Sequence, residues 1–289
     1  MKSSLPVPSG KVWLSTLGAS AAGIFVCLAF YAFIYLAEPF GAPFFGSPDL
    51  TWNDFFTNFL TILAAGLAAF AASVVWKQFG VGETGSVIWF FLAAGLWLWT
   101  LGEVLWAAFN LTIVEVPAVS IADIPWVAGY LCFSISLERQ YAVIYRPTVR
   151  ARRLVIYGTW IGMLAAAAFV AGLGSGFRLQ ADTFSAFVQA FYVLADLTIA
   201  TLAFLLVFIF RGGAMLRPWL GLFLFALADG LYAWLYESGI YAFTAAAGNL
   251  PSLIADTLYV AAYLILAFGL LAHYLLLTVG PAASPKTKK

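Results

Sequence analysis

The sequence predicts an all-α fold: an eight-span transmembrane helix bundle built of two parallel four-helix repeats. Three observations carry that prediction. Of 289 residues, 64% are hydrophobic and 9% charged, whereas a water-facing surface needs about a quarter of its residues charged. The apolar residues gather into eight runs, each long enough to cross ~30 Å of hydrocarbon as a helix. An acid-and-aromatic pattern in the first half then recurs in the second.

The first repeat, residues 1–145, holds spans at about 13–36, 55–76, 86–110 and 122–145. Lys2 and Lys11 precede the first span as they would a signal peptide. Its apolar stretch is longer than a signal core, which predicts an uncleaved anchor. The second span, with Ala64 to Ala72, offers small residues for close helix contact. The third and fourth carry the first set of intramembrane acids. The second repeat, residues 146–289, holds spans at about 154–174, 185–210, 217–240 and 252–277, followed by a short basic tail.

Charge orients these spans. With the N-terminus inside, every Lys and Arg except Arg178 falls on the cytoplasmic side, as the positive-inside rule requires. The expected location is therefore the cell (plasma) membrane, with N- and C-termini both cytoplasmic. The run Arg146, Arg150, Arg152 and Arg153 between the repeats is expected to meet anionic lipid headgroups, at ~1 kcal/mol per residue.

The repeat shows in four places. Ile121-Ala-Asp123-Ile-Pro-Trp126-Val-Ala-Gly-Tyr130-Leu opens the fourth span, and Ile254-Ala-Asp256-Thr-Leu-Tyr259-Val-Ala-Ala-Tyr263-Leu opens the eighth. Leu98 to Trp106, with Glu103, matches Leu224 to Tyr232, with Asp229. Acid and aromatics stand at i, i+3 and i+7 in the fourth and eighth spans, so each set shares one helix face. Asp196, one turn after Tyr192, adds an acid on the sixth span.

All these acids lie in the predicted outer half, where no basic side chain is available. An unpaired carboxylate in hydrocarbon costs ~2.5–3.5 kcal/mol even on the lenient insertion scale. Asp123 and Asp256, near helix starts, are also placed to cap free N–H groups. The candidate ligand-binding residues are Glu103, Trp106, Asp123, Trp126, Tyr130, Tyr192, Asp196, Asp229, Tyr232, Asp256, Tyr259 and Tyr263. One reading makes the carboxyls inter-helix glue. A second lines an externally open pocket for a small cation or amphiphile, since aromatics around acids suit cation–π contact. A third makes them a proton or transport pathway.

Several chemistries are excluded. The net charge of +1 offers no field for nucleic acid. Cys27 and Cys132 lie in separate apolar runs, so neither a disulfide framework nor a CxxC site exists. With His273 as its one imidazole, the chain lacks the ligands for bis-His haem or a zinc protease site. No lysine sits mid-span to carry retinal, and neither a GxSxG elbow nor a phosphate loop occurs. No cofactor is expected.

With these motifs in order, residues 85 to 275 resemble the polytopic membrane sensory regions of bacterial signalling proteins, which precede diguanylate cyclase, phosphodiesterase or histidine kinase domains. The resemblance rests on Leu98 to Trp106, on Ser120 to Tyr130, on Phe191-Tyr-Val-Leu-Ala-Asp196-Leu and on Phe225-Ala-Leu-Ala-Asp229-Gly-Leu-Tyr232. It implies a non-enzymatic sensor-like protein. Because the chain shows no output domain after its last span, it also implies signalling through a separate membrane or cytoplasmic protein partner. A fainter likeness to lysoplasmalogenase-type membrane hydrolases rests on Glu103 and Asp229, acids on the third and seventh spans. The histidine that family carries on its fourth helix has no counterpart here.

Overall fold

The computed structural model describes residues 10–113, 116–117, 119–145, 157, 161, 181–210, 215–245 and 249–279. They form seven long helices: α1 (Gly10–Ala37), α2 (Trp52–Trp76), α3 (Thr84–Ile113), α4 (Asp123–Tyr145), α5 (Ala181–Ile209), α6 (Leu216–Glu237) and α7 (Leu250–Val279). Among the described residues the β-type pairing is confined to one bridge, Pro43 with Thr51.

Six of these helices, all but α4, are long and apolar enough to cross a membrane. That makes the chain a multi-pass membrane protein. The expected fourth span is a helix, yet it falls short of that apolarity, because Asp123 opens it and Glu138, Arg139 and Gln140 interrupt its last third. Of the expected fifth span, 154–174, only Tyr157 and Ile161 are described, both helical and exposed; the rest lies outside the described residues, as does the arginine run from Arg146 to Arg153. The seventh span was expected to reach residue 240, but α6 ends at Glu237, and Gly239 follows with φ +64°.

Local sequence sets the helix starts. Asp54 accepts the Thr51 backbone N–H at 2.7 Å and the Thr51 hydroxyl at 2.9 Å, closing the first turn of α2. Pro125, Pro218 and Pro251 fall in the first turns of α4, α6 and α7, where a missing N–H leaves no helix bond unmade.

Six helices pack into a closed ring in the order α2, α3, α4, α5, α6, α7, with α7 returning to α2; α1 lies outside it against α7 and α2. Ala64, Ala65, Ala68, Ala69 and Ala72 are at most 3% exposed, so α2 brings its backbone close to its neighbours. Gly95 on α3 lies under the Phe133 ring of α4, where a Cβ would stand 2.5 Å from it. Indoles and phenyls fill the ring interior: Trp89, Trp99, Trp219, Phe133 and Phe225 are all buried. Phe25, Leu67, Phe70, Leu197, Phe208 and Leu227 point outward and exposed. Such an apolar exterior suits lipid, not water.

Candidate functional site

At one end of the bundle the ring interior opens into a cavity of about 450 Å³. This is the end where α2, α4 and α7 begin and α3 and α6 finish. Nine of the residues singled out from the sequence line it: Glu103, Trp106, Asp123, Trp126, Tyr192, Asp229, Tyr232, Asp256 and Tyr259. The other three stand directly behind its wall. Tyr130 hydrogen-bonds Asp196 and, at 2.7 Å, Asp229 Oδ2. Tyr263 donates to Glu103 Oε1 at 3.0 Å. The structure thus gathers all twelve into one cluster.

The rule of this cluster is that every acid is held by a phenol from another segment. Asp123 Oδ1 accepts from Tyr192 at 2.7 Å. Asp256 accepts from Tyr35, and from Tyr241 at 3.0 Å. Behind Glu103 a second donor chain runs from Trp99 Nε1 to the Tyr259 hydroxyl at 2.6 Å. Among the described residues no Lys, Arg or His pairs with Glu103, Asp123, Asp196, Asp229 or Asp256. Phenol O–H donors are the uncharged alternative to a salt bridge, since a hydrogen bond to a carboxylate is about twice as strong as a neutral one.

The aromatic wall is built by glycine. Gly102 on α3 lies so close to Trp126 that a Cβ there would stand 2.2 Å from its Nε1. Room made this way lets Trp126 sit between Trp99 and Trp106, with ring centroids at 6.2 and 6.1 Å. Tyr232 meets Trp106 edge-on at 5.9 Å, and Phe243 stacks on its other side at the same distance. The Trp126 Nε1 is buried with no hydrogen-bond partner.

The sequence reading missed the cavity's far wall and roof. Tyr31 and Tyr35 from α1 line it, as do Asn58 and Thr61 from α2 and Tyr241 and Phe243 from the α6–α7 connection. That connection is pinned at three points: Ala245 N–H to Asp54 Oδ1 at 2.7 Å, Asn110 Nδ2 to Phe243 O at 3.1 Å, and Ala242 N–H to Ser252 Oγ at 2.9 Å. Burial, and then the neighbouring Asp256 charge, push the Tyr241 phenol above its ordinary pKa, so it remains a donor. The expectation that Asp256 caps α7 is corrected: both its oxygens take phenol hydroxyls, one turn inside the helix. Asp123 does meet a free N–H, that of Ser120 at 2.6 Å.

Among the described residues no group of three or more His, Cys, Asp and Glu is arranged to hold a metal ion. Comparison with protein-family models, with curated proteins and with solved structures finds no match to this chain.

Proposed function

We propose that this chain is a non-enzymatic, sensor-like membrane protein that binds a small ligand in the cavity from outside the cell and acts through a separate partner. One observation carries the reading: a cavity of about 450 Å³ lined by aromatics and acids, with no Lys, Arg or His among the described residues of its wall. Ligand sites measure about 300–1,000 Å³ and are mostly apolar with a few placed polar groups.

The outward assignment is supported by charge. Lys77, Arg139 and Arg217 all lie toward the helix ends opposite the cavity, and basic residues favour the cytoplasmic side. On this reading both termini are cytoplasmic at the plasma membrane, with Arg146, Arg150, Arg152 and Arg153 available to anionic headgroups.

Eight spans in two parallel repeats are supported by the helix directions and by an exchange of bonds. Tyr192–Asp123, Tyr130–Asp196 and Tyr141–Leu202 pair α4 and α5 in ascending order, so these neighbours run parallel. Parallel neighbours require an odd number of crossings between them, and 154–174 is the apolar run available. Glu103 and Asp229 correspond in the repeat, as do Tyr130 and Tyr263, and each acid is bonded to the tyrosine of the other half. A two-fold axis along the membrane normal produces that exchange.

Binding is favoured over transport because Trp89, Trp219, Phe133 and Phe225 fill the ring interior. The test is a thermal-shift screen of small amphiphiles on the purified full chain. Compounds are expected to raise the Tm of the wild type and not of the Glu103→Gln/Asp229→Asn variant. Equal shifts in both, or none in either, would overturn the reading.

A further inference from the structure

One phenol stands between two carboxyls. The Tyr130 hydroxyl lies within hydrogen-bond distance of Asp196 Oδ1 and at 2.7 Å from Asp229 Oδ2. A phenol owns a single proton, so it can donate to one of them only. The other contact would set two lone pairs face to face unless a carboxyl supplies the second proton. The three groups therefore hold at least two protons and at most one negative charge.

The two acids differ in access. Asp196 is 4% exposed, and its Oδ2 is buried without a partner. Asp229 lines the cavity. The titratable groups that face the pair are Glu103 from α3, Asp123 from α4, Tyr192 from α5, Tyr232 from α6, and Tyr259 and Tyr263 from α7. All are acids or phenols, so among the described residues no side chain brings a positive charge to Asp229, and a ligand can supply one. Trp106, Trp126 and Tyr232 line the same cavity as Asp229 and pack against one another, an aromatic wall of the kind that recognises alkylammonium groups. A bare metal ion would find no three-ligand set among the described residues and would leave most of the volume unused.

We propose that the cavity takes an organic cation with an apolar body, and that the cation displaces the proton Asp196 and Asp229 share through Tyr130. The proposal rests on the reading of the cavity as a binding site. In the exchange a carboxyl O–H bond breaks, its proton passes to water, and the ligand's charge takes its place beside the two carboxylates. Nothing is oxidised or reduced. Because binding releases a proton, affinity rises with pH, approaching about tenfold per unit where the pair is protonated in the free protein.

The experiment titrates the full chain in mild detergent with benzyltrimethylammonium, benzyl alcohol and benzoate, by calorimetry in buffers of different ionisation enthalpy across neutral pH. The expected result is saturable binding of the cation alone, with close to one proton released. The Asp196→Asn variant is expected to bind the same cation with the pH dependence gone. Tyr130→Phe, which keeps the ring, gives a second variant should the first not fold. Cation binding without proton release overturns the exchange and leaves the site standing. Preference for the alcohol or the carboxylate overturns the ligand class and leaves the site standing. Binding of none of the three overturns both the inference and the cavity reading beneath it.

Discussion

The Tyr263 hydroxyl donates to Glu103 Oε1 at 3.0 Å, joining α7 to α3 across the ring. Tyr130 on α4 makes the corresponding bond to Asp229 on α6 at 2.7 Å. Each acid is thus anchored by a helix far from it in sequence, and cavity shape and bundle packing depend on the same bonds.

A double-mutant cycle on Glu103→Gln and Tyr263→Phe tests that dependence. Each single change is expected to cost about 1–2 kcal/mol, since Tyr263→Phe removes a buried hydrogen bond and Glu103→Gln weakens it, while membrane bonds average below their aqueous counterparts. The pair should cost less than the sum of the two, because both act on the same interaction. Unfolding of the detergent-solubilised protein measures this, and strict additivity would separate the residues.

Two cavity glycines make opposite predictions for the same chemical change. At Gly102 a new Cβ meets the Trp126 indole at 2.2 Å, so Gly102→Ala must push that ring aside. A loss of about 1–3 kcal/mol is expected, with a shift in tryptophan emission. At Gly230, which lines the cavity where Gly102 only backs its Trp126 wall, a Cβ meets nothing within 4 Å. Gly230→Ala should therefore leave stability unchanged or raise it by up to about 1 kcal/mol, the helix propensity gain.

The contrast between these glycines was invisible in the sequence, and the reason is general to this chain. Helical spacing of Asp123, Trp126 and Tyr130, or of Asp256, Tyr259 and Tyr263, is a local property, and it placed those residues together on a face. Length and apolarity likewise placed the described helices, α4 included, though its charged positions keep it below the apolarity of the other six. The partners that complete the site come from elsewhere. Tyr35 reaches Asp256 from 221 residues away, out of a span that reads as featureless. Asp54 caps α2 with one oxygen, and its second oxygen holds Ala245, 191 residues on. No periodicity encodes which helices become neighbours in a ring.

Asp54 is accordingly expected to govern the roof of the cavity. Its carboxylate is buried and accepts from Thr51 and Ala245 together. Asp54→Asn replaces one acceptor oxygen with a donor, leaving an amide N–H facing either the Thr51 N–H or the Ala245 N–H. Hydrogen exchange at Ala245 and its neighbours should speed up by tenfold or more, since about 1–3 kcal/mol attends an unsatisfied buried group. Exchange along mid-helix α3 should not change. A uniform acceleration would mean that Asp54 supports the whole bundle and not the roof.

Orientation makes the last prediction, and it is independent of any ligand. The cavity opens where α6 ends at Glu237, and Ser238 stands exposed there. Gln78, exposed after the end of α2 and next to Lys77, marks the opposite end. Basic residues hold their end of a bundle in the cytoplasm, so these two positions should face different compartments. Single cysteines, Ser238→Cys and Gln78→Cys, in a background carrying Cys27→Ser and Cys132→Ser, can be probed with a membrane-impermeant maleimide. Ser238→Cys is expected to label in intact cells, and Gln78→Cys only after permeabilisation. The reverse pattern would turn the cavity toward the cytoplasm, where an external signal could not reach it.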